Sequence, residues 1–272
     1  MLVKQPAYMH TFGMTEHYII LAEFPLCLNR FSLALSGKPY IENYEWKPEE
    51  GTRFLVIRKA DGNVVHSAHS ESFFAFHHVN AFEQDGEVVV DLVAYADSSV
   101  IQSLYLEPLL HHPKQVIAAG ELRRYHVLLN EAIAHYEVLT SEPLELPRIN
   151  YQRCNTHHYQ FVYGVGSSRS GNFIDQLVKV NVKNGTVQLW HSPDCYPGEP
   201  VFVEAPKATT EDKGVILSVV LHVQNQNSFL LVLDAQTWDE LAKVQLPYHL
   251  PFDFHSQYFN RIAPTERRQL HR

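Results

Sequence analysis

The chain has 272 residues, 45% hydrophobic and 19% charged, which is enough apolar material for one large folded domain or two smaller ones. A formal net charge of −8, with no basic stretch, argues against a nucleic-acid partner. Three widely spaced cysteines do not suggest a disulfide framework, and neither a secretory signal nor an apolar run of about 18 residues is present, so we expect a cytoplasmic protein without a membrane span.

The first part of the chain is predicted to form short strands joined by tight turns. A strand over 17–23 is followed by Pro25, and the runs 53–59 and 63–66 flank Asp61-Gly62 as a hairpin. A second hairpin spans 73–95 around Gln84-Asp85-Gly86, because Asp-Gly between apolar runs favours a two-residue turn. The Val-rich run 87–95 is typical of a strand that is mostly buried.

The hairpin over 73–95 also carries adjacent histidines, His77 and His78, set among aromatic residues. Side chains alternate along a strand, so these two imidazoles are expected to point to opposite faces. We expect His78 to serve packing or the surface. An imidazole buried among aromatics needs a hydrogen bond or a metal for its nitrogens, and a total of 17 histidines makes a histidine metal site worth testing.

The rest of the chain continues the pattern of short strands. Apolar runs of helical length cover 98–112 and 127–139, and we predict a helix over 100–110. We expect an extended segment at 141–151 and a loop at 192–200, and the final segment, 246–259, has His255 near its centre. Strands are predicted over 121–129, 159–166, 173–182, 186–191, 201–204, 214–223, 228–233 and 240–244. Such a pattern predicts an all-β barrel, sandwich or propeller, and the even spacing favours a propeller, in which distant loops converge on one axis.

Five short segments resemble motifs of the carotenoid cleavage oxygenase family, in the family's order and over nearly the whole chain. The matching segments are MHTFGMTE at 9–16 for MHDFxxTE, FHHVNAFE at 76–83 for FHxxNAxE, ELPRINY at 145–151 for ExPxIN, YPGEP at 196–200 for YPxEP, and PFDFH at 251–255 for PxxFHG. The last match departs from the motif, since Ser256 stands where the family has glycine.

The resemblance implies a seven-bladed β-propeller with Fe(II) on its axis, bound by four histidines, three of which are hydrogen-bonded by glutamates. Carried over to this sequence, it implies three metal ligands, His10, His77 and His255, and two supporting carboxylates, Glu145 and Glu199. Neutral imidazoles suit Fe(II), and a carboxylate on the far ring nitrogen fixes the tautomer. Four phenylalanines either line an apolar tunnel or pack in the core: Phe12, Phe74, Phe76 and Phe254.

The family's first histidine and one of its glutamates lie upstream of the segment that matches His10, whereas only nine residues precede His10 here. A blade takes roughly 40–50 residues. We therefore expect one domain over 1–272 that corresponds to the C-terminal portion of the family fold, with about four blades, a short helical insertion and the N-terminal blades missing.

The resemblance implies a non-haem Fe(II) dioxygenase that uses O2 to cleave a conjugated C=C bond of a carotenoid or apocarotenoid into carbonyl products. An apolar substrate also implies peripheral contact with a membrane, for which 100–110 is the candidate surface. Two alternatives remain open. The chain is a catalytically silent fragment or depends on a partner that supplies the missing blades, or it is a retinoid isomerohydrolase-like or stilbene-cleaving enzyme.

Overall fold

The computed structural model describes residues 5–111, 118–168, 173–252 and 254–260. Over these residues the chain forms four antiparallel sheets, one after another along the sequence, and a small two-stranded sheet. The prediction of an all-β partial propeller with about four blades is confirmed. None of the helices in the described ranges has the length and apolar character needed to cross a membrane.

The first two sheets hold the segments that carry His10 and His77. The first sheet orders its strands as β1 (Gly13–Met14), β2 (Tyr18–Glu23), β5 (Thr52–Arg58) and β6 (Val64–Ser70). Between β2 and β5, the strands β3 (Leu26–Leu28) and β4 (Tyr44–Trp46) form the separate pair. The second sheet runs, in chain order, β7 (Phe74–Gln84), β8 (Glu87–Tyr95), β9 (Glu121–Leu128) and β10 (His135–Val138).

The last two sheets position the two predicted carboxylates. Glu145 begins the third sheet, and Glu199 lies between two strands of the fourth. The third sheet consists of β11 (Glu145–Arg148), β12 (Phe161–Gly166), β13 (Gln176–Asn181) and β14 (Val187–His191). The fourth contains β15 (Cys195–Pro197), β16 (Val201–Glu204), β17 (Gly214–His222), β18 (Asn227–Asp234) and β19 (Glu240–Gln245), with β15 and β16 both paired to β17. The predicted loop at 192–200 therefore contains a short strand, β15.

The helices are short and lie between strands. They are α1 (Arg30–Leu35), α2 (Ser99–Ser103), α3 (Leu106–His111) and α4 (Tyr151–Cys154). The single helix predicted over 100–110 is wrong, because the chain turns after α2 and starts again as α3. The turn is made by backbone hydrogen bonds between residues three apart in sequence. The Leu104 amide donates to the Ile101 carbonyl, and the Tyr105 amide donates to the Gln102 carbonyl. The apolar run 127–139 is the end of β9, a turn and β10.

The two-residue hairpin turns follow from their sequences. Asp85 and Gly86 both have positive φ, 49° and 85°, as a turn of type I′ requires, and Gln84 pairs directly with Glu87. At the turn between β13 and β14, Gly185 has φ of 70°. The predicted hairpin over 73–95 is confirmed, and the strands predicted over 173–182 and 186–191 are present as the antiparallel pair β13 and β14.

The core lies between successive sheets, and the first strands of three of them meet. Strand β7 contacts both β1 and β11, which brings the first strands of the first three sheets together. Strand β8 is buried along almost its entire length because β7 and β9 flank it within the sheet and neighbouring elements cover both faces, so it needs apolar residues on both sides. These contacts bring together the segments that carry three of the predicted site residues, His10, His77 and Glu145.

Candidate metal centre

His10, His77 and His255 come together from three separate parts of the chain. One ring nitrogen of each lies within 4.8 Å of the corresponding nitrogen of the other two. The His10 and His77 ring centroids are 5.1 Å apart and those of His77 and His255 are 5.2 Å apart, with nearly perpendicular ring planes in both pairs. His10 precedes β1, His77 lies within β7, and His255 follows β19.

His77 is fixed by a carboxylate on one nitrogen and leaves the other without a partner. Its Nδ1 is 2.7 Å from Oε2 of Glu145, and its side chain is 12% exposed. Its Nε2 is buried and has no hydrogen-bond partner among the described residues. A carboxylate beside Nδ1 places the proton there, so Nε2 presents a lone pair. A buried lone pair without a partner is unfavourable, and a metal ion would satisfy it.

Glu145 is itself held by two further donors. The Tyr95 hydroxyl donates to Oε1 at 2.8 Å, and the Leu146 amide donates to Oε2 at 2.7 Å. The backbone beside Glu145 is irregular: Leu146 has a positive φ of 48°, and the register between β11 and β12 shifts between Glu145 and Arg148. Burial, followed by the charge of Glu145, raises the pKa of Tyr95 well above its usual value, so this phenol stays protonated and donates.

Glu199 supports His255 in a similar way. It is 2% exposed, and its Oε1 is 3.0 Å from Nδ1 of His255. Its Oε2 accepts from the backbone amide of Ser256 at 2.8 Å and lies 3.6 Å from the Arg148 guanidinium. The Ser256 contact uses a backbone N–H that glycine would also supply, so the departure from the family motif leaves this hydrogen bond in place.

His10 has a weaker partner than the other two histidines. Its Nδ1 is 3.4 Å from the Tyr8 hydroxyl, and the two rings stack with an interplanar angle of 5°. Burial, and then the charges of His77 and His255, lower the pKa of His10, while Glu145 acts in the opposite direction. The lowered pKa favours the neutral imidazole, which is the form that binds a metal.

His78 and Glu83 serve the surrounding structure. The Nδ1 of His78 is 3.0 Å from Oγ1 of Thr11, and burial, followed by the charge of His77, lowers the pKa of His78 to about 4. Glu83 accepts hydrogen bonds from the Thr15 hydroxyl and the His17 amide, so it fastens the turn between β1 and β2.

The four phenylalanines occupy different environments. The Phe76 ring centroid is 5.5 Å from that of His10, and Phe74 is fully buried and packs edge-on against Phe76 at 4.9 Å. Phe12 and Phe254 are 53% and 63% exposed. Of the four rings, Phe76 therefore lies directly beside the histidines, and Phe74 packs behind Phe76.

The supporting residues Tyr8, Tyr95 and Arg148 were not identified from the sequence. Tyr95 ends a buried strand and Tyr8 belongs to an irregular segment, where an aromatic residue ordinarily indicates packing. The proline-flanked motif that contains Glu145 also contains Arg148, which is the one signal that could have identified this arginine.

The residues present fit a divalent transition metal. The three donors are imidazoles, two of them oriented by carboxylates, and the donor set suits Fe2+, Zn2+, Cu2+ or Co2+. Imidazole nitrogens do not favour Mg2+ or Ca2+, which prefer oxygen ligands. Donor chemistry thus narrows the ion to this group without choosing within it.

Comparison with known proteins identifies the family. The family model described as "Retinal pigment epithelial membrane protein" matches residues 1–260. Carotenoid-cleaving dioxygenase, mitochondrial, of Mustela putorius furo is 35% identical, with 93% of this chain and 55% of that protein covered. Beta,beta-carotene 15,15'-dioxygenase of Homo sapiens is 31% identical, with 97% and 54% covered. The chain spans about half the length of the curated relatives it matches.

Solved structures agree with this assignment. A point mutant of Synechocystis apocarotenoid oxygenase superposes with a TM-score of 0.80 at 25% identity, covering 92% of this chain and 53% of that one. Cobalt-substituted Synechocystis ACO gives a TM-score of 0.78 at 25% identity, covering 91% and 52%. The chain therefore belongs to the Retinal pigment epithelial membrane protein family, the carotenoid cleavage oxygenases that its five sequence motifs resemble.

Proposed function

We propose that this chain provides the iron-binding part of a dioxygenase that cleaves a conjugated C=C bond of a carotenoid or apocarotenoid. In this reaction each alkene carbon takes one oxygen atom from O2, so the double bond breaks and two carbonyl groups form. The names of the relatives support this class of reaction and substrate. The observation that carries the proposal is the convergence of His10, His77 and His255, two of them oriented by buried or nearly buried carboxylates.

The protein's own residues supply orientation and a low-polarity surface. The chemistry that Fe2+ brings to such a site is the activation of O2. Glu145 and Glu199 hold protons on Nδ1 of His77 and His255, which keeps the opposite nitrogens free to bind. The Phe76 ring beside His10 presents an apolar surface next to the histidines, where a polyene could pack.

A second candidate is a chain that binds metal but needs another polypeptide for activity, or is silent. Two observations favour it. The matched relatives are about twice as long as the chain, and Nδ1 of His10 contacts the Tyr8 hydroxyl where His77 and His255 have carboxylates. A partner would supply the missing blades and complete the site.

Metal content and oxygen uptake test the first candidate against the second. Purified under anaerobic conditions and loaded with Fe2+, the chain is expected to retain about one equivalent. It is then expected to consume O2 with β-carotene or an apocarotenal and to form aldehydes or ketones. Retention below about a tenth of an equivalent would refute the metal site. Stable binding without O2 uptake favours the partner-dependent chain, and isomerised product without O2 uptake would indicate an isomerohydrolase-like activity.

The adjacent histidines provide a matched pair of variants. His77→Ala is expected to abolish iron retention because it removes a nitrogen that already lacks another partner. His78→Ala is expected to retain iron, since its Nδ1 contacts Thr11 and its ring is not among the three whose nitrogens converge. Iron per folded chain, measured after desalting, gives the comparison, and equal loss in both variants would contradict the ligand assignment.

We also propose that the protein is cytoplasmic and touches membranes at α2 and α3. The three cysteines of the sequence are free and buried, which suits a reducing compartment. Four leucines of this helical region are exposed at 37–70%, namely Leu104, Leu106, Leu109 and Leu110. Replacing Leu106 and Leu110 with serine is expected to reduce co-sedimentation with phosphatidylcholine vesicles. Leu241→Ser is the control, because Leu241 is similarly exposed but lies on β19, and it should leave co-sedimentation unchanged.

A further inference from the structure

The segment that carries His255 is held in place by different contacts from the segments that carry His10 and His77. After β19 the described residues 246–252 and 254–260 form neither strand nor helix. His77, by contrast, lies in an eleven-residue strand. The His255 side chain is 55% exposed, compared with 12% for His77. The position of His255 therefore depends on a few discrete contacts along this segment.

Ser228 makes a group of such contacts at the start of the segment. It is fully buried near the beginning of β18. Its hydroxyl accepts a hydrogen bond from the Leu250 amide at 2.8 Å, and the same O–H donates to the Leu250 carbonyl at 3.4 Å. Its backbone carbonyl accepts from the Leu246 amide and from the Gln245 side chain, both at 2.9 Å. One serine thus holds the returning chain through both backbone and side chain.

Beyond Leu250, the next contacts lie at the aromatic cluster and at Glu199. The Phe252 ring packs against Phe173 at 4.6 Å and Tyr196 at 5.5 Å, and it remains 47% exposed. Glu199 then binds His255 and the Ser256 amide. Two buried side chains thus bind the backbone of the segment, Ser228 at Leu250 before the histidine and Glu199 at Ser256 after it, and the Ser228 contact limits where the chain enters the site.

We propose that Ser228 is a positioning residue for His255: by holding Leu250, its hydroxyl keeps the imidazole against Glu199 and directed at the metal site. The proposal rests on the function proposed above, because it gives His255 the role of a ligand. It adds a residue outside the five family motifs, on a strand that contributes no ligand. Ser228→Ala should loosen the segment without removing any ligand.

The metal-free chain gives a readout that does not depend on metal binding. In wild type, Nδ1–H of His255 is expected to give a protected imidazole signal in 15N NMR because Glu199 accepts its hydrogen bond. In Ser228→Ala this signal should exchange faster, and amides over 246–252 should lose about fivefold to tenfold protection, the effect of one hydrogen bond. The His77 signal should be unchanged. Unchanged protection over 246–252 and at His255 would overturn the proposal.

The metal-loaded chain separates positioning from general destabilisation. Co2+ is the probe because its visible spectrum reports its ligands. Ser228→Ala is expected to raise the Co2+ dissociation constant about fivefold to tenfold while the spectrum at saturation matches wild type. His255→Ala should change that saturated spectrum. Ser103→Ala is the matched control, since it removes another buried hydroxyl that binds a backbone carbonyl, in α2.

The outcomes distinguish the two proposals. If wild type binds no Co2+ or Fe2+, the proposed function fails, and the metal-free measurements alone decide whether Ser228 positions His255. If wild type binds Co2+ but Ser228→Ala and Ser103→Ala have equal dissociation constants, the positioning role is refuted and the metal site stands. A selective loss in Ser228→Ala supports both.

Discussion

At the scale of single residues, the three imidazoles of the cluster are not equivalent. Glu145 and Glu199 orient His77 and His255, whereas a phenol 3.4 Å away contacts His10. The two carboxylates differ as well, because neutral donors from Tyr95 and Leu146 bind Glu145 and a guanidinium lies beside Glu199. A carboxylate without a nearby cation makes its histidine the more basic ligand, so we expect His77 to be the strongest donor of the three.

Because neutral donors hold Glu145, we expect the Tyr95 hydroxyl to be needed to keep this carboxylate in place beside His77. Tyr95→Phe keeps the buried ring and removes the donor to Oε1 of Glu145, which leaves that oxygen unsatisfied and frees the carboxylate to rotate. We expect unfolding free energy to fall by about 1–2 kcal/mol and Co2+ affinity to fall severalfold. Urea unfolding of the metal-free chain and a Co2+ titration give the two values.

Tyr125→Phe is the control for this variant. Tyr125 is also buried in the second sheet, and its hydroxyl accepts from Arg123, away from the histidines. Comparable loss of stability with unchanged Co2+ affinity is expected. If both variants bind Co2+ as wild type does, Glu145 does not need Tyr95 to hold His77.

At the scale of elements, the turn that follows the His10 segment is fastened to β7. Glu83 near the end of β7 accepts from the Thr15 hydroxyl at 2.6 Å, from the His17 amide at 2.9 Å and from its ring at 3.0 Å. Burial alone would raise the pKa of Glu83, but the hydrogen bonds from Thr15 and His17 outweigh it and lower the pKa. A carboxyl with a lowered pKa stabilises the fold above its unfolded pKa and loses that effect as the pH falls through its folded pKa.

Glu83→Gln is therefore expected to cost about 1 kcal/mol of unfolding free energy at pH 7, a modest value because the site is partly exposed. The difference from wild type should shrink as the pH falls below about 4.3, where the unfolded-state carboxyl takes up a proton, and vanish once the pH is below the lowered folded pKa. Urea unfolding across this pH range measures it. Glu16→Gln makes the same charge change in the same turn, at an exposed position, and should show little effect. A constant difference at all pH values would contradict the assigned role.

Much of the strand pattern could be predicted from the sequence, since Asp-Gly and Asn-Gly turns and Val-rich runs are local signals. The break between α2 and α3 could not, because both sides carry the same apolar composition and the turn depends on local backbone bonds. Within the site, the family motifs included the histidines and the two glutamates. Tyr95 and Ser228 act through contacts between distant segments, which no local pattern contains. Tyr8 is two residues from His10 but lies outside the motif that begins at Met9.

At the scale of the molecule, buried polar groups join neighbouring sheets. Lys179 of β13 is 3% exposed, and its ammonium binds Asp212 at 3.1 Å and the Ala235 carbonyl at 2.6 Å in the fourth sheet's loops. Between the second and third sheets, Asp91 of β8 binds Arg124 and accepts from Tyr159, which precedes β12. Such charges are satisfied only when the sheets are correctly placed, so they specify how the sheets meet.

Lys179→Met is expected to reduce unfolding free energy by about 3–5 kcal/mol, because it leaves the Asp212 carboxylate in a mostly buried position without the cation that balances its charge. Lys243→Met is the comparison, since Lys243 pairs with Glu240 on an exposed surface and should cost less than about 0.5 kcal/mol. Both are measured by urea unfolding of the metal-free chain. Equal costs would show that the Lys179 contact does not hold the two sheets together.

The convergence of His10, His77 and His255 has a consequence for folding. These residues lie near the beginning, in the first third and near the end of the described sequence, so an ion bound by all three acts as a cross-link that closes long loops of the polypeptide. Such a link restricts the unfolded chain and adds binding free energy to the native state. A chelator such as EDTA should therefore lower the melting temperature of the loaded wild-type chain, and this drop should disappear in His77→Ala.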